Sequence, residues 1–172
     1  MYNIVPVMGA WRVGRMNAYR IRPVKYPWPT VFYFLAILMA YGLQRLFPFH
    51  LPDEHILLLQ VLGGAMGFVG LYLVVWASIM LLRNRTAVLS NRSAARLVIR
   101  GPFRYTRNPI YLGYTLLCMG AAVYADNGWM MLSAIAAAIV THLYVIRKEE
   151  MHLLARFGYE FERYCRRTRV WI

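Results

Sequence analysis

Two polar clusters stand out against an otherwise apolar chain. The first is R-G-P-F-R-Y-T-R-N-P-I-Y-L-G-Y, Arg100 to Tyr114, where arginines alternate with aromatics and two prolines. The second is R-K-E-E, Arg147 to Glu150. Pro109 suits the first turn of a helix, where its missing N–H costs nothing. The exposed N–H groups and the positive dipole at such an end favour an anion such as a carboxylate. Gly101-Pro102 turns the chain just before, so Arg104, Tyr105 and Arg107 can fold back over that end. Glu149 and Glu150 can accept hydrogen bonds from ribose hydroxyls or pair with an ammonium. Together these groups suit a zwitterionic nucleoside ligand. An equally good reading has the arginines binding lipid headgroups and neutralising the two glutamates.

The elements that must position these clusters are apolar. Of the 172 residues, 60% are hydrophobic and only 16% charged, where a soluble domain has about 25% charged. Four segments carry the hydrophobicity: Thr30–Phe47, Ile56–Leu82, Ile110–Ala125 and Trp129–Ile146. A spanning helix needs about 20 apolar residues. The third segment is short, but Asp126-Asn127-Gly128 joins it to the fourth by a tight turn, which makes an antiparallel helical hairpin. The expected fold is all-α and integral to the membrane, with four transmembrane helices, the last two forming a C-terminal hairpin. That hairpin brings the two polar clusters together at one end.

Net charge is +13, from 20 Lys and Arg against 7 Asp and Glu. The basic residues flank the segments in a pattern. Arg12, Arg15, Arg20, Arg22 and Lys25 precede the first, Arg83 to Arg107 lie between the second and third, and Arg147 to Arg169 follow the fourth. Only Arg45 falls near the other side. Basic residues in short loops stay cytosolic, so both termini and the long middle loop are expected there. The charge then reports topology and attraction to membrane lipids, which argues against nucleic acid as a partner. The first apolar run begins at residue 30 without a small-residue cleavage site, which reads as an anchor rather than a signal peptide.

Three regions follow: a basic lead over 1–29, a two-helix membrane anchor over 30–82, and a core over 83–172. The lead, rich in Trp and Tyr, suits the interface and is a candidate docking segment for a membrane protein partner. Gly63, Gly67 and Gly70 suit close helix packing. After the fourth segment, Leu153, Phe157, Phe161 and Tyr164 share one helical face opposite Arg156, Glu160, Arg163 and Arg167. This reads as a cytosolic interfacial amphipathic helix, with a break at Gly158. His142 falls two turns before Glu149, and the expected role is a histidine satisfied by a neighbouring helix. Cys118 and Cys165 give no disulfide framework. There is no metal-ligand spacing, nucleotide-binding glycine loop or Ser/His/Asp set.

The pattern G-P-F-R-Y-T-R-N-P-I-Y-L-G, followed by E-E-x-x-L-x-x-x-F-G-x-x-F-x-x-Y, resembles the isoprenylcysteine carboxyl methyltransferase and phospholipid methyltransferase superfamily. The resemblance covers about residues 60–170. It implies a membrane enzyme that uses S-adenosylmethionine, held at the cytosolic ends of the last helices, and a lipid-soluble acceptor entering from the bilayer. A phospholipid amine, an isoprenyl thiol or carboxylate, and a small thiol all fit that acceptor. The resemblance assigns Arg96, Leu97, Val98 and Phe103 to the segment along the cofactor. It assigns Asn108, Pro109, Ile110 and Tyr111 to the H-P-x-Y core, and Glu149 to the acidic cofactor ligand. It also implies a substrate-contacting arginine near the end of the fourth helix, for which Arg147 is the candidate, with Glu150 beside it. Alignment on Phe157-Gly158 puts Val145 at that point, two residues away.

One residue departs from the family pattern. Asn108 replaces the family histidine, and an amide keeps hydrogen-bonding capacity but cannot titrate. Direct methyl transfer from a sulfonium needs positioning more than a base, and no catalytic base is assigned. The rival reading is a non-catalytic membrane subunit that kept the fold.

Overall fold

The computed structural model describes residues 28–51, 56–84 and 96–172. Most of the basic lead, with its expected docking role, lies outside these residues, as do Arg85 and Arg92 of the long loop. Four main helices follow in order: α1 Trp28–Leu46, α2 Ile56–Arg83, α3 Pro109–Tyr124 and α4 Gly128–Val140. A 3-10 turn, Gly101–Arg104, precedes α3. Beyond α4 the helix continues through a π-helical turn, Thr141–Ile146, into α5 Arg147–Phe157. The short α6, Tyr159–Cys165, closes the helical part.

Among the described residues, three helices are long and apolar enough to cross a membrane: Pro29–Leu46, Ile56–Arg83 and Gly128–Phe157. Their apolar side chains face outward, among them Phe34, Leu57, Phe68 and Tyr72. Exposed apolar area on that scale would aggregate in water and is the normal state in lipid. The chain is an integral membrane protein. α3 is equally apolar but shorter, because Pro109 starts it and the Ala125–Asn127 turn ends it. Its length is about 24 Å at the usual rise per residue, against roughly 30 Å of hydrocarbon.

Packing is governed by small residues. α2 lies along α3, α1 along α4, and α3 and α4 pair as the hairpin. A Cβ at Gly63 would stand 2.7 Å from Gly120 O, and one at Gly70 2.7 Å from Gly113 O. Both distances lie below any real contact, so the α2–α3 approach exists only because these positions lack side chains. Gly63 and Gly70 carry the expected close packing directly. Gly67 does not share that role: a Cβ there would meet nothing within 4 Å, and it is Gly120 whose Cβ would stand 2.5 Å from the Gly67 backbone N.

At the turn end of the hairpin, Asn127 caps α4 by accepting a hydrogen bond from Met130 N (2.9 Å). Asp126 takes a left-handed conformation, φ 49°, which its short polar side chain tolerates. Gly128 belongs to α4 rather than to the turn. At the other end, Gly158 breaks the helix where expected, with φ 51°, a conformation that costs glycine little. Phe161 and Tyr164 are buried while Arg156, Glu160, Arg163 and Arg167 are exposed, which gives the anticipated two faces.

Candidate functional site

The hairpin does bring the two polar clusters together. Tyr111, on the first turn of α3, donates its phenol hydrogen to Glu149 Oε1 at 2.8 Å. Arg107, just before α3, pairs with Glu150 Oε1 at 2.8 Å, with side chains 13% and 25% exposed. Arg107 also reaches Cys165 O (3.5 Å). One guanidinium therefore ties the pre-α3 loop to α5 and α6.

The helix end is open in a specific sense. Asn108 occupies the cap position of α3 but makes no capping hydrogen bond. Its Nδ2 donates instead to Val170 O at 3.2 Å. Pro109, buried, fills the first position. The positive end of α3 thus carries no side-chain cap, which favours an anionic group there.

The C-terminal tail returns over this loop, which the sequence reading did not anticipate. Arg107 N donates to Arg169 O (2.9 Å) and Thr106 Oγ1 to Val170 O (3.0 Å). Tyr164 donates its hydroxyl to Phe103 O (2.6 Å), and Thr168 Oγ1 donates to Arg104 O (3.4 Å). Trp171 then lies against His142, ring centroids 6.2 Å apart. His142 Nδ1 is buried without a hydrogen-bond partner, so the expected satisfaction by a neighbouring helix is replaced by ring contact with the tail. The π turn matters here. It slips the register by roughly one residue, about 100° of rotation. His142 and Glu149 therefore do not share the face that unbroken α geometry would give them.

The remaining sequence candidates spread around this centre. Arg96, exposed, and the half-buried Leu97 and Val98 lie on the extended segment that enters the 3-10 turn. Phe103 sits in that turn and Ile110 beside Pro109 on α3, both half-buried. Arg147 is exposed at the start of α5, whereas Val145, two residues before, is buried. Burial pushes the Tyr164 hydroxyl above its ordinary range, with the nearby Arg107 charge offsetting part. Burial likewise raises the Cys165 thiol to about 11, again against Arg107. A thiol so protonated at neutral pH is a poor nucleophile.

The sequence matches the phospholipid methyltransferase family over residues 58–160, a segment that holds all but the first two residues of α2, together with α3, α4, α5 and both polar clusters. The chain belongs to the phospholipid methyltransferase family. It is thereby part of the wider superfamily of membrane methyltransferases that includes the isoprenylcysteine carboxyl methyltransferases. A curated relative, the nickel-cobalt-cadmium resistance protein NccN of Alcaligenes xylosoxydans xylosoxydans, is 35% identical over 82 residues. That match covers 46% of this chain and 37% of the relative, so the chain spans well under half the length of that protein. No solved structure matches the chain.

S-adenosylmethionine, the methyl donor of this family, carries an α-carboxylate, an α-ammonium and ribose hydroxyls. The donor set fits those groups. An uncapped helix end could receive a carboxylate, and Glu149 of the Tyr111–Glu149 pair could accept from an ammonium or a hydroxyl.

Proposed function

We propose that this protein is a membrane methyltransferase that moves a methyl group from S-adenosylmethionine to a lipid-soluble acceptor, a phospholipid amine or an isoprenyl thiol or carboxylate. The observation that carries the reading is the Tyr111–Glu149 hydrogen bond of 2.8 Å. It joins the tyrosine of one family motif to the acid of the other at an uncapped helix end.

S-adenosylmethionine, when bound, supplies an already activated methyl on a sulfonium. The chain's own residues then have to bind, orient and exclude water. Pro109, Ile110 and Tyr111 present the helix end, and Glu149 takes the ammonium or ribose side. Arg96, Leu97, Val98 and Phe103 line the approach, with Asn108 holding the tail that covers it. Glu150 and Arg147 face the acceptor, Glu150 while held by Arg107. Four helices cross the bilayer, with α3 completing the set as the partner of α4. Residues 83–172 carry the chemistry, 30–82 anchor it, and 1–29 lie at the cytosolic surface, available to a membrane protein partner. Both termini face the cytosol, a reading supported by the distribution of Lys and Arg.

A second reading, a non-catalytic subunit that retains the fold, is favoured by one observation. Asn108 spends its amide on Val170 O where the family places a histidine. Incubation of membranes containing the protein with methyl-labelled S-adenosylmethionine separates the two. The enzyme reading expects label in an extractable lipid or thiol. Binding of the donor with no labelled product would favour the subunit.

A further inference from the structure

α1 lies outside the segment matched to the family, yet one of its side chains enters the core behind the site. Tyr33 is 4% exposed. It packs with Ala36, Cys118, Ala134 and Ala137, and its ring lies 5.7 Å from that of Tyr114. Its hydroxyl sits 2.6 Å from Thr115 Oγ1, and Thr115 Oγ1 donates to Tyr111 O at 2.9 Å. A threonine hydroxyl has a single hydrogen, and here it is spent on Tyr111. Tyr33 must therefore donate to Thr115 and keep its own lone pairs as acceptors. Thr141, completely buried, lies in the π-helical turn that packs against α1, and its hydroxyl has no hydrogen-bond partner among the described residues.

These two threonines occupy decisive places. Thr115 is one turn along α3 from Tyr111. Thr141 is the first residue of the π-helical turn, whose extra residue sets the face on which Glu149 leaves α4. A phenol that bonds to Thr115 on α3 while its ring packs with Ala134 and Ala137, on the stretch of α4 that leads into the π turn, connects the rotations of both helices. In a bilayer a buried hydroxyl has no water to fall back on, so such a contact holds its geometry.

We propose that Tyr33 is a positioning residue of the methyltransferase site: it fixes the helix rotations that bring Tyr111 and Glu149 to hydrogen-bonding distance. The inference rests on the functional reading above but has a readout independent of it. The experiment compares Tyr33→Phe, Thr115→Val and Thr115→Ser with wild type in nanodiscs. Amide hydrogen exchange over residues 141–150 is measured without any cofactor, and then S-adenosylmethionine affinity and the kcat–KM split are measured for methyl transfer. Tyr33→Phe should speed exchange in 141–150 several-fold while α2 stays at its wild-type rate. It should weaken cofactor affinity three- to tenfold. Thr115→Val should copy it, and Thr115→Ser, which keeps the hydroxyl, should behave as wild type. Wild-type exchange and affinity in Tyr33→Phe would overturn the proposal. So would equal losses in Thr115→Ser and Thr115→Val, which would mark a packing effect alone. If wild-type protein binds no S-adenosylmethionine, the functional reading fails instead, and the exchange data alone decide the role of Tyr33.

Discussion

The two ends of the α3–α4 hairpin solve different problems with similar residues. At the turn end, Asp126 accepts from Leu51 N and pairs with His50, both at 2.7 Å. Gly128 N donates to Phe49 O and Trp129 Nε1 to Phe47 O. Phe49 and Trp129 meet edge to face at 5.7 Å. This end is a clasp. Its His50–Asp126 contact is exposed, with the His50 side chain at 63%, and its bonds fasten the chain after α1 to the hairpin. At the other end the charged groups are better covered, and buried polar atoms such as Arg107 Nε are left without a hydrogen-bond partner. A carboxylate, a phenol and an uncapped helix end converge there. Unspent polar capacity held in place by burial is what distinguishes a binding site from a fastening.

The contrast breaks most readily at Arg107. Arg107→Gln would leave Glu150 largely covered without its counter-charge, which should cost about 2–3 kcal/mol of stability. Thermal melting in detergent is the check, and Arg83→Gln, exposed at the end of α2, should leave the melting point unchanged. Equal effects would mean that the arginines serve only topology.

Next in size is Glu149→Gln. Loss of a hydrogen-bond acceptor carrying charge should weaken S-adenosylmethionine binding by about 1.5–3 kcal/mol, roughly ten- to a hundredfold. Calorimetry on purified protein reads this directly, with the melting point as a control. Tyr111→Ala should lose at least as much.

Two smaller effects sharpen the comparison. Asn108→His should change affinity by no more than about threefold, since an imidazole N–H can donate to the same Val170 carbonyl. A larger loss would show that the amide itself is required. Asp126→Asn, at the clasp, should cost under about 1 kcal/mol of stability and leave methyl transfer unchanged. A drop in kcat there would join the two ends functionally and defeat the distinction.

The helices and the hairpin were legible because apolar runs are bounded by turn residues. Asp126-Asn127 and Gly158 mark real breaks, and Gly63 and Gly70 mark a real close approach. The meeting of Tyr111 with Glu149 follows from the antiparallel hairpin. What escaped depends on contacts distant in sequence or on backbone detail. The return of the tail is made mostly by backbone carbonyls, which any residue supplies. The π turn at Thr141–Ile146 has no sequence signature, yet it moves His142 away from the face of Glu149. Nothing in the sequence singles out Tyr33 in its anchor helix, because its hydroxyl partner lies on another helix.

The most direct test of the central claim is ultraviolet crosslinking of radiolabelled S-adenosylmethionine to the wild-type protein in membranes, followed by peptide mapping. Label should appear in peptides containing residues 100–114 or 147–157 and be competed by unlabelled cofactor. Absence of competable label, or label confined to the clasp around Phe49 and Trp129, would contradict the assignment of the site.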